Sequence, residues 1–292
     1  MKIAKLVLRQ HTTKNDVFSY FTNQQVHKPT MLLLHGFSAD KTIWLKFAKH
    51  ATKDYNLIIP DLKGHGDIPY SNKDNYSAFA QADYVRRFMH ALGVKGPITI
   101  VGNSMGGMIS AILATENKNH IDKKSHSNHE NSQIKSDEYF QSAVIIDNLV
   151  LIDPAGAKSD FALQTRASAS NPFNHQTMQD SFDFYKLIMH KPPFIPPSAL
   201  AYISQTNYLD KRQQNQHMFH DFFNPEEFFE QPLHSSARRI TLIWGEQDKM
   251  IPATDASNWE KLLPCETHIL PNIGHMPMVE CPEATYLLIK SN

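Results

Sequence analysis

Residues 98–107, ITIVGNSMGG, constrain the fold of this chain more than any other stretch. A short apolar run ends in Gly102-Asn103-Ser104-Met105-Gly106 and continues into a helix-forming segment. A serine between two glycines at such a junction demands a sharp strand-to-helix turn. The backbone there must approach its neighbours closely, and glycine at the minus-two and plus-two positions removes the side chains in the way. The serine hydroxyl then projects free. The N–H groups at the start of the following helix face any anion that develops beside it. Ser104 is therefore the candidate nucleophile.

The rest of the chain repeats the same rhythm. Apolar runs at 31–35 (MLLLH), 55–61 (YNLIIPD), 97–102, 143–153 (AVIIDNLVLID), 239–245 (RITLIWG) and 265–270 (CETHIL) read as strands. They alternate with amphipathic stretches at 41–50 and 76–92, from about 105, and at 283–290. That alternation predicts an α/β protein with a parallel sheet and crossover helices. Two segments break it. Residues 117–140 are polar and rich in Asn, Lys and His, and read as a surface insertion. His120, His126 and His129 within it lack helical ligand spacing, so no metal site is expected there. Residues 155–238 are rich in aromatics and prolines and read as a helical cap. The expected division is a core of 1–154 and 239–292, a cap of 155–238, and the 117–140 insertion within the core.

A serine needs a base, and the base needs a carboxylate. His275 lies in NIGHMPMVE, between the last strand and the last helix. That loop falls at the carboxyl edge of the sheet, where ligands meet open α/β sheets. Asp248, in LIWGEQDKMIP just past the 239–245 strand, is the acid candidate. Asp153, past the preceding strand, is its rival; its other reading is a turn residue before Pro154. An oxyanion hole needs two N–H donors. The backbone of Met105 offers one, and that of Phe37, in the loop after the 31–35 strand, offers the other. His35 reads as a brace of that loop. Gly64-x-Gly66 lacks a full phosphate-binding pattern and reads as a structural turn. An acyl chain would be held by apolar area, about 0.8 kcal/mol per buried methylene. Phe37, Phe173, Phe182, Ile251 and Met276 are the expected walls, with Met105 beside them.

Other classes are narrowed by composition. The 292 residues carry 29 basic and 29 acidic side chains, so there is no broad electrostatic footprint for nucleic acid. Cys265 and Cys281 are too few for a disulfide scaffold and read as free thiols. No apolar run reaches the ~18 residues of a membrane helix. Lys5 and Arg9 interrupt the first ten residues, which do not read as a signal peptide. The expectation is a soluble, cytoplasmic protein, or an exported or membrane-associated one if an N-terminal segment had been removed. Oligomeric state is not legible.

Together, HGFSADKTIW, PDLKGHGD, VGNSMGG, LIDPAG, LIWGEQDKMIP and NIGHMPMVECPE resemble the α/β-hydrolase fold superfamily, in family order. FIPPSAL and IDPAG are most similar to bacterial family V lipases and to monoacylglycerol lipases. The resemblance implies a mostly parallel sheet of eight strands flanked by helices, with a lid after the sixth. It also implies hydrolysis of carboxylic esters, with a small-molecule lipid ester as substrate, contact with lipid surfaces, and no metal or organic cofactor. Those lipases carry an N-terminal anchor or export signal that this sequence does not show. Two alternatives stay open. Carbon–carbon bond hydrolases of ring-cleavage products share a similar elbow, though HGFSAD and GHMPM fit them poorly. A non-catalytic ligand-binding member of the fold is the other.

Overall fold

The computed structural model describes residues 5–115, 144–167 and 172–291. The 117–140 insertion, with its three histidines, lies outside the described residues. Eight strands form one sheet: β1 (Val7–Thr12), β2 (Val17–Thr22), β3 (Thr30–Leu34), β4 (Asn56–Pro60), β5 (Ile98–Asn103), β6 (Ile146–Ile152), β7 (Arg239–Gly245) and β8 (Glu266–Leu270). Their spatial order is β1-β2-β4-β3-β5-β6-β7-β8. β3 through β8 run parallel, and β1 and β2 add an antiparallel hairpin at one edge. The residue pattern alone marked only the six parallel strands. β1 is an edge strand whose residues are mostly exposed, so it carries no apolar run to read.

The inner parallel strands β3 to β7 are largely buried on both faces, as helix-covered strands must be, whereas β8 is a partly exposed edge strand. Leu32, Leu34, Ile98 and Ile100 face one layer. Met31, Leu33, Val101, Val150 and Ile243 face the other. Helices α1 (Leu45–Ala51), α2 (Ala78–Ala91) and α3 (Met105–Ala114) follow β3, β4 and β5 in turn. Phe47, Ala48 and Ala51 of α1 cover the second face, while α2 and α3 cover the first. α3 is apolar all round and buried along its length, which pins the turn before it.

Between β6 and β7 the chain leaves the sheet. It forms α4 (Asp160–Ala167), α5 (Met178–Ile188), α6 (Pro197–Ile203), a π-helical turn (Ser204–Leu209) and α7 (Arg212–Phe222). Thr177 and Asp180 start α5 with a reciprocal capping box. Phe173, Phe184, Met218, Phe219 and Phe222 of this excursion join the core on the α2–α3 face. α8 (Ala256–Leu262), α9 (Pro277–Glu280) and α10 (Pro282–Ser291) complete the chain. Among the described residues, no helix is long and apolar enough to cross a membrane.

Two buried groups fix the loops at the carboxyl ends of β3 and β4. His35 Nδ1–H donates to the Gly36 carbonyl (2.8 Å), and its Nε2 accepts the Leu62 N–H (2.9 Å). Asp61, fully buried, accepts the N–H groups of Lys41 and Asp67 (both 2.9 Å) and the Lys41 ammonium. Gly66 turns around that carboxylate with φ 56°; a Cβ there would stand 2.2 Å from Asp61 Cγ. The glycine pair is thus a structural turn. Burial pushes His35 down to about 4 and His65 to about 3.

That depression sets a pH dependence. An unfolded His35 takes a proton below about 6.5, whereas the folded one refuses it until about 4. The stability His35 contributes is therefore full above 6.5 and lost as pH falls towards 4, up to about 3 kcal/mol. Chemical unfolding of the wild type should show a steeper loss between pH 7 and 4.5 than that of His35→Gln. Parallel curves would contradict the neutral brace.

Candidate active site

Ser104 follows β5 with φ 54° and ψ −116°, a left-handed conformation that a non-glycine residue holds only under constraint. The constraint is close backbone packing. A Cβ on Gly102 would lie 2.0 Å from the Gly106 carbonyl oxygen, and one on Gly106 would lie 2.4 Å from that of Leu34. Ser104 N–H donates to the Ile152 carbonyl (3.0 Å), and the Ser104 carbonyl accepts from Ala155 (3.1 Å). The elbow is thereby stitched to β6 and the loop beyond it.

The Phe37 loop presses on the same spot. A Cβ at Gly36 would lie 3.3 Å from Ser104 Cβ, so the segment Gly36-Phe37 borders the serine. Met105 heads α3, and the first N–H groups of a helix have no acceptor within it. The loop and the helix start that carry the two expected donors thus border Ser104 from two elements.

Asp248 and His275 meet across the ends of β7 and β8. His275 Nδ1 lies 2.6 Å from Asp248 Oδ2. Asp248 Oδ1 accepts the N–H groups of Met250 (2.7 Å) and Ile251 (3.0 Å). Asp248 thus accepts from three N–H groups, one of them the His275 Nδ1–H. The neutral ring then keeps a lone pair on Nε2. Ser104, Asp248 and His275 are all buried. The His275 Nδ1 partner is Asp248, not Asp153.

Three further residues hold the histidine loop, and the sequence did not single them out. Asn103 Nδ2 donates to the His275 carbonyl (3.0 Å) and the Ile152 carbonyl (3.2 Å). It sits at the variable position beside the serine, where only geometry shows its use. His275 N–H donates to the Ile188 carbonyl at the end of α5 (2.9 Å). Glu280 accepts from Gly274 N–H (2.8 Å) and Lys191 N–H (2.6 Å). The α5 end and the histidine loop are thus tied to each other.

An apolar cavity opens on Ser104. Phe161, Phe173, Phe219, Phe223 and Ile251 are among its walls. Of the walls expected from the sequence, Phe173 and Ile251 line this cavity. Phe37 stands behind the wall, its ring 4.7 Å from that of Phe173 and 5.9 Å from that of Phe223. Phe182 does not line the cavity. The buried phenylalanine of α5 is Phe184, two positions on and on another face of the helix, 5.2 Å from Phe173. Met276 packs instead with the core on the α1 face of the sheet. Phe219 and Phe223, at i and i+4 near the end of α7, were visible as a helical pair but not assigned.

Comparison with known proteins agrees with this architecture. The chain is 28% identical over 281 residues to Lipase 3 of Moraxella sp. strain TA144, covering 92% of this chain and 79% of that protein. It is 26% identical to human monoacylglycerol lipase ABHD6, covering 92% and 76%. Among solved structures it superposes on a membrane phospholipase A, a bacterial virulence factor, with TM-score 0.80 and 25% identity, over 99% of this chain and 86% of that one. The family profile described as alpha/beta hydrolase fold matches residues 29–282. The chain belongs to the alpha/beta hydrolase fold family.

Proposed function

We propose that this protein is a serine carboxylester hydrolase that acts on lipid esters, monoacylglycerols or other fatty-acid esters, through an acyl-enzyme. One observation carries the reading: the bonded Asp248–His275 pair, whose loop Asn103 ties to the strand ending at Ser104, accompanies a strained serine that opens into an aromatic cavity. The names of the Moraxella and human relatives support the same class of substrate.

The reaction follows from the arrangement. Ser104 Oγ attacks the ester carbonyl carbon, and its proton passes to His275 Nε2. The N–H groups of Phe37 and Met105 receive the developing oxyanion; loss of one such donor typically costs about 10²- to 10³-fold. Asp248 keeps the Nδ1–H tautomer and balances the imidazolium. His275 then gives its proton to the leaving alcohol as the carbon–oxygen bond breaks. A water deprotonated by His275 attacks the acyl-serine, and the fatty acid leaves with Ser104 restored.

Residues 155–238 act in this reading as the cap of a core made by 1–154 and 239–292. The cap supplies Phe161, Phe173, Phe219 and Phe223 to the acyl cavity. Phe194 is 87% exposed and Tyr202 70% exposed on its outer side, which supports a peripheral contact with lipid surfaces.

Hydrolysis of p-nitrophenyl esters from acetate to palmitate, and of monoacylglycerol, tests the proposal. Activity should peak at medium or long chains and fall about 10⁴-fold or more in Ser104→Ala, and by a similar factor in Asp248→Asn. Folded wild type that turns over no ester, but cleaves a vinylogous diketone, would overturn it. Filling the cavity with Phe223→Trp should shift the optimum to shorter chains at unchanged acetate turnover. An unchanged chain-length profile would place the acyl group elsewhere.

A further inference from the structure

The hydrolytic scheme leaves Asp153 without a task. It follows β6, holds φ 43° and is fully buried. Its Oδ1 accepts the Gly245 N–H (2.8 Å), but its buried Oδ2 has no hydrogen-bond donor among the described residues. Polar atoms of Asp153, Asp248 and His275 all lie within 4.8 Å of one another. Two carboxylates so close in a dry site cannot both be charged; one keeps a proton.

The donors decide which. Asp248 receives three N–H groups, from Met250, Ile251 and His275. Asp153 receives one. The negative charge therefore rests on Asp248 and the proton on Asp153. That proton gives the otherwise unpartnered oxygen a hydrogen bond to make, and the Asp248 carboxylate is beside it. The other titratable groups facing the pair are Glu280 from α9, Cys281 after it, and Asp255 on the Asp248 side. The Glu280 carboxylate further favours a neutral Asp153. Burial and the Asp248 charge push the Asp153 carboxyl well above the usual carboxylate range.

We propose that Asp153 is a positioning residue: its neutral carboxyl donates a hydrogen bond to Asp248 and fixes that carboxylate against His275. The inference rests on the proposed roles of Ser104, His275 and Asp248. It has a chemical consequence. A charged Asp153 would give the imidazolium a second anion and make His275 a proton trap. A neutral one orients Asp248 without adding a second charge beside the imidazole.

The pH profiles of kcat and KM on a p-nitrophenyl ester, for wild type, Asp153→Asn and Asp153→Ala, test this. Ala removes the donor, and kcat should fall about tenfold or more with KM little changed. Asn stays neutral, keeps an acceptor for Gly245 and donates through its amide. It should restore most of kcat and leave the acid limb where the wild type has it. An acid limb lowered by about one unit or more in Asp153→Asn would show that Asp153 is charged in the wild type and overturn the proposal. Wild-type kcat in a folded Asp153→Ala would overturn it too. If the Ala variant does not fold, the Asn profile decides alone. Phosphonate labelling of Ser104, read by peptide mass in the same proteins, reports separately on the triad assignment. An unlabelled wild type would refute that assignment, whereas the profiles speak to Asp153.

Discussion

Ser104 holds a left-handed backbone because β5, α3 and the end of β3 close on it. Such a conformation costs about 1–3 kcal/mol and persists only where the surroundings over-determine it. Here they do so through contact distances that only glycine permits, at Gly102 and Gly106. The buried, apolar α3 anchors one side and the fully buried run Met31–Leu34 anchors the other. The same packing that forms the core therefore aims the serine. The loops that border it are cut to fit: His35 and Asp61 tie the Phe37 loop, and Asn103 ties the serine strand to the loop of His275.

Charge is distributed with equal economy. The site concentrates N–H donors on one carboxylate, Asp248, and keeps the nearby buried imidazoles of His35 and His65 neutral. His35 and His65 stay uncharged through burial, so they brace without attracting ions. The cavity beyond the serine is lined mainly by aromatic and aliphatic side chains. In the proposed reaction an ester carbonyl would meet N–H groups at one end of the site, and its acyl chain the mainly apolar walls of the cavity. That separation suits a substrate with one polar bond and a long hydrocarbon tail.

The residues whose geometry is imposed by backbone physics were legible in the sequence. The strand–Ser–helix junction, the buried inner strands, and the positions of Asp248 and His275 after β7 and β8 all leave marks in residue order. The edge hairpin β1–β2 leaves almost none, because an edge strand with exposed side chains has no apolar run. Side-chain direction on the helices was the weakest inference. Phe182 and Phe184 differ by two positions, which on a helix sends them to different faces, and only the packing of Phe173 selects Phe184. Proximity in sequence misled for Met276: it follows His275 yet packs on the opposite side of the sheet from the cavity-side core. Asn103 acts on His275 across 172 residues and Glu280 reaches Lys191 across 89, so no local pattern reports those ties.

A crystal structure of the protein after reaction with a long-chain alkyl phosphonate would test the central claim most directly, since the adduct mimics the tetrahedral intermediate. The account predicts phosphorus bonded to Ser104 Oγ and the phosphonyl oxygen about 2.7–3.1 Å from the N–H groups of both Phe37 and Met105. The alkyl chain should lie among Phe173, Phe219, Phe223 and Ile251. A phosphonyl oxygen turned away from both N–H groups, or a chain lying outside that cavity, would contradict it.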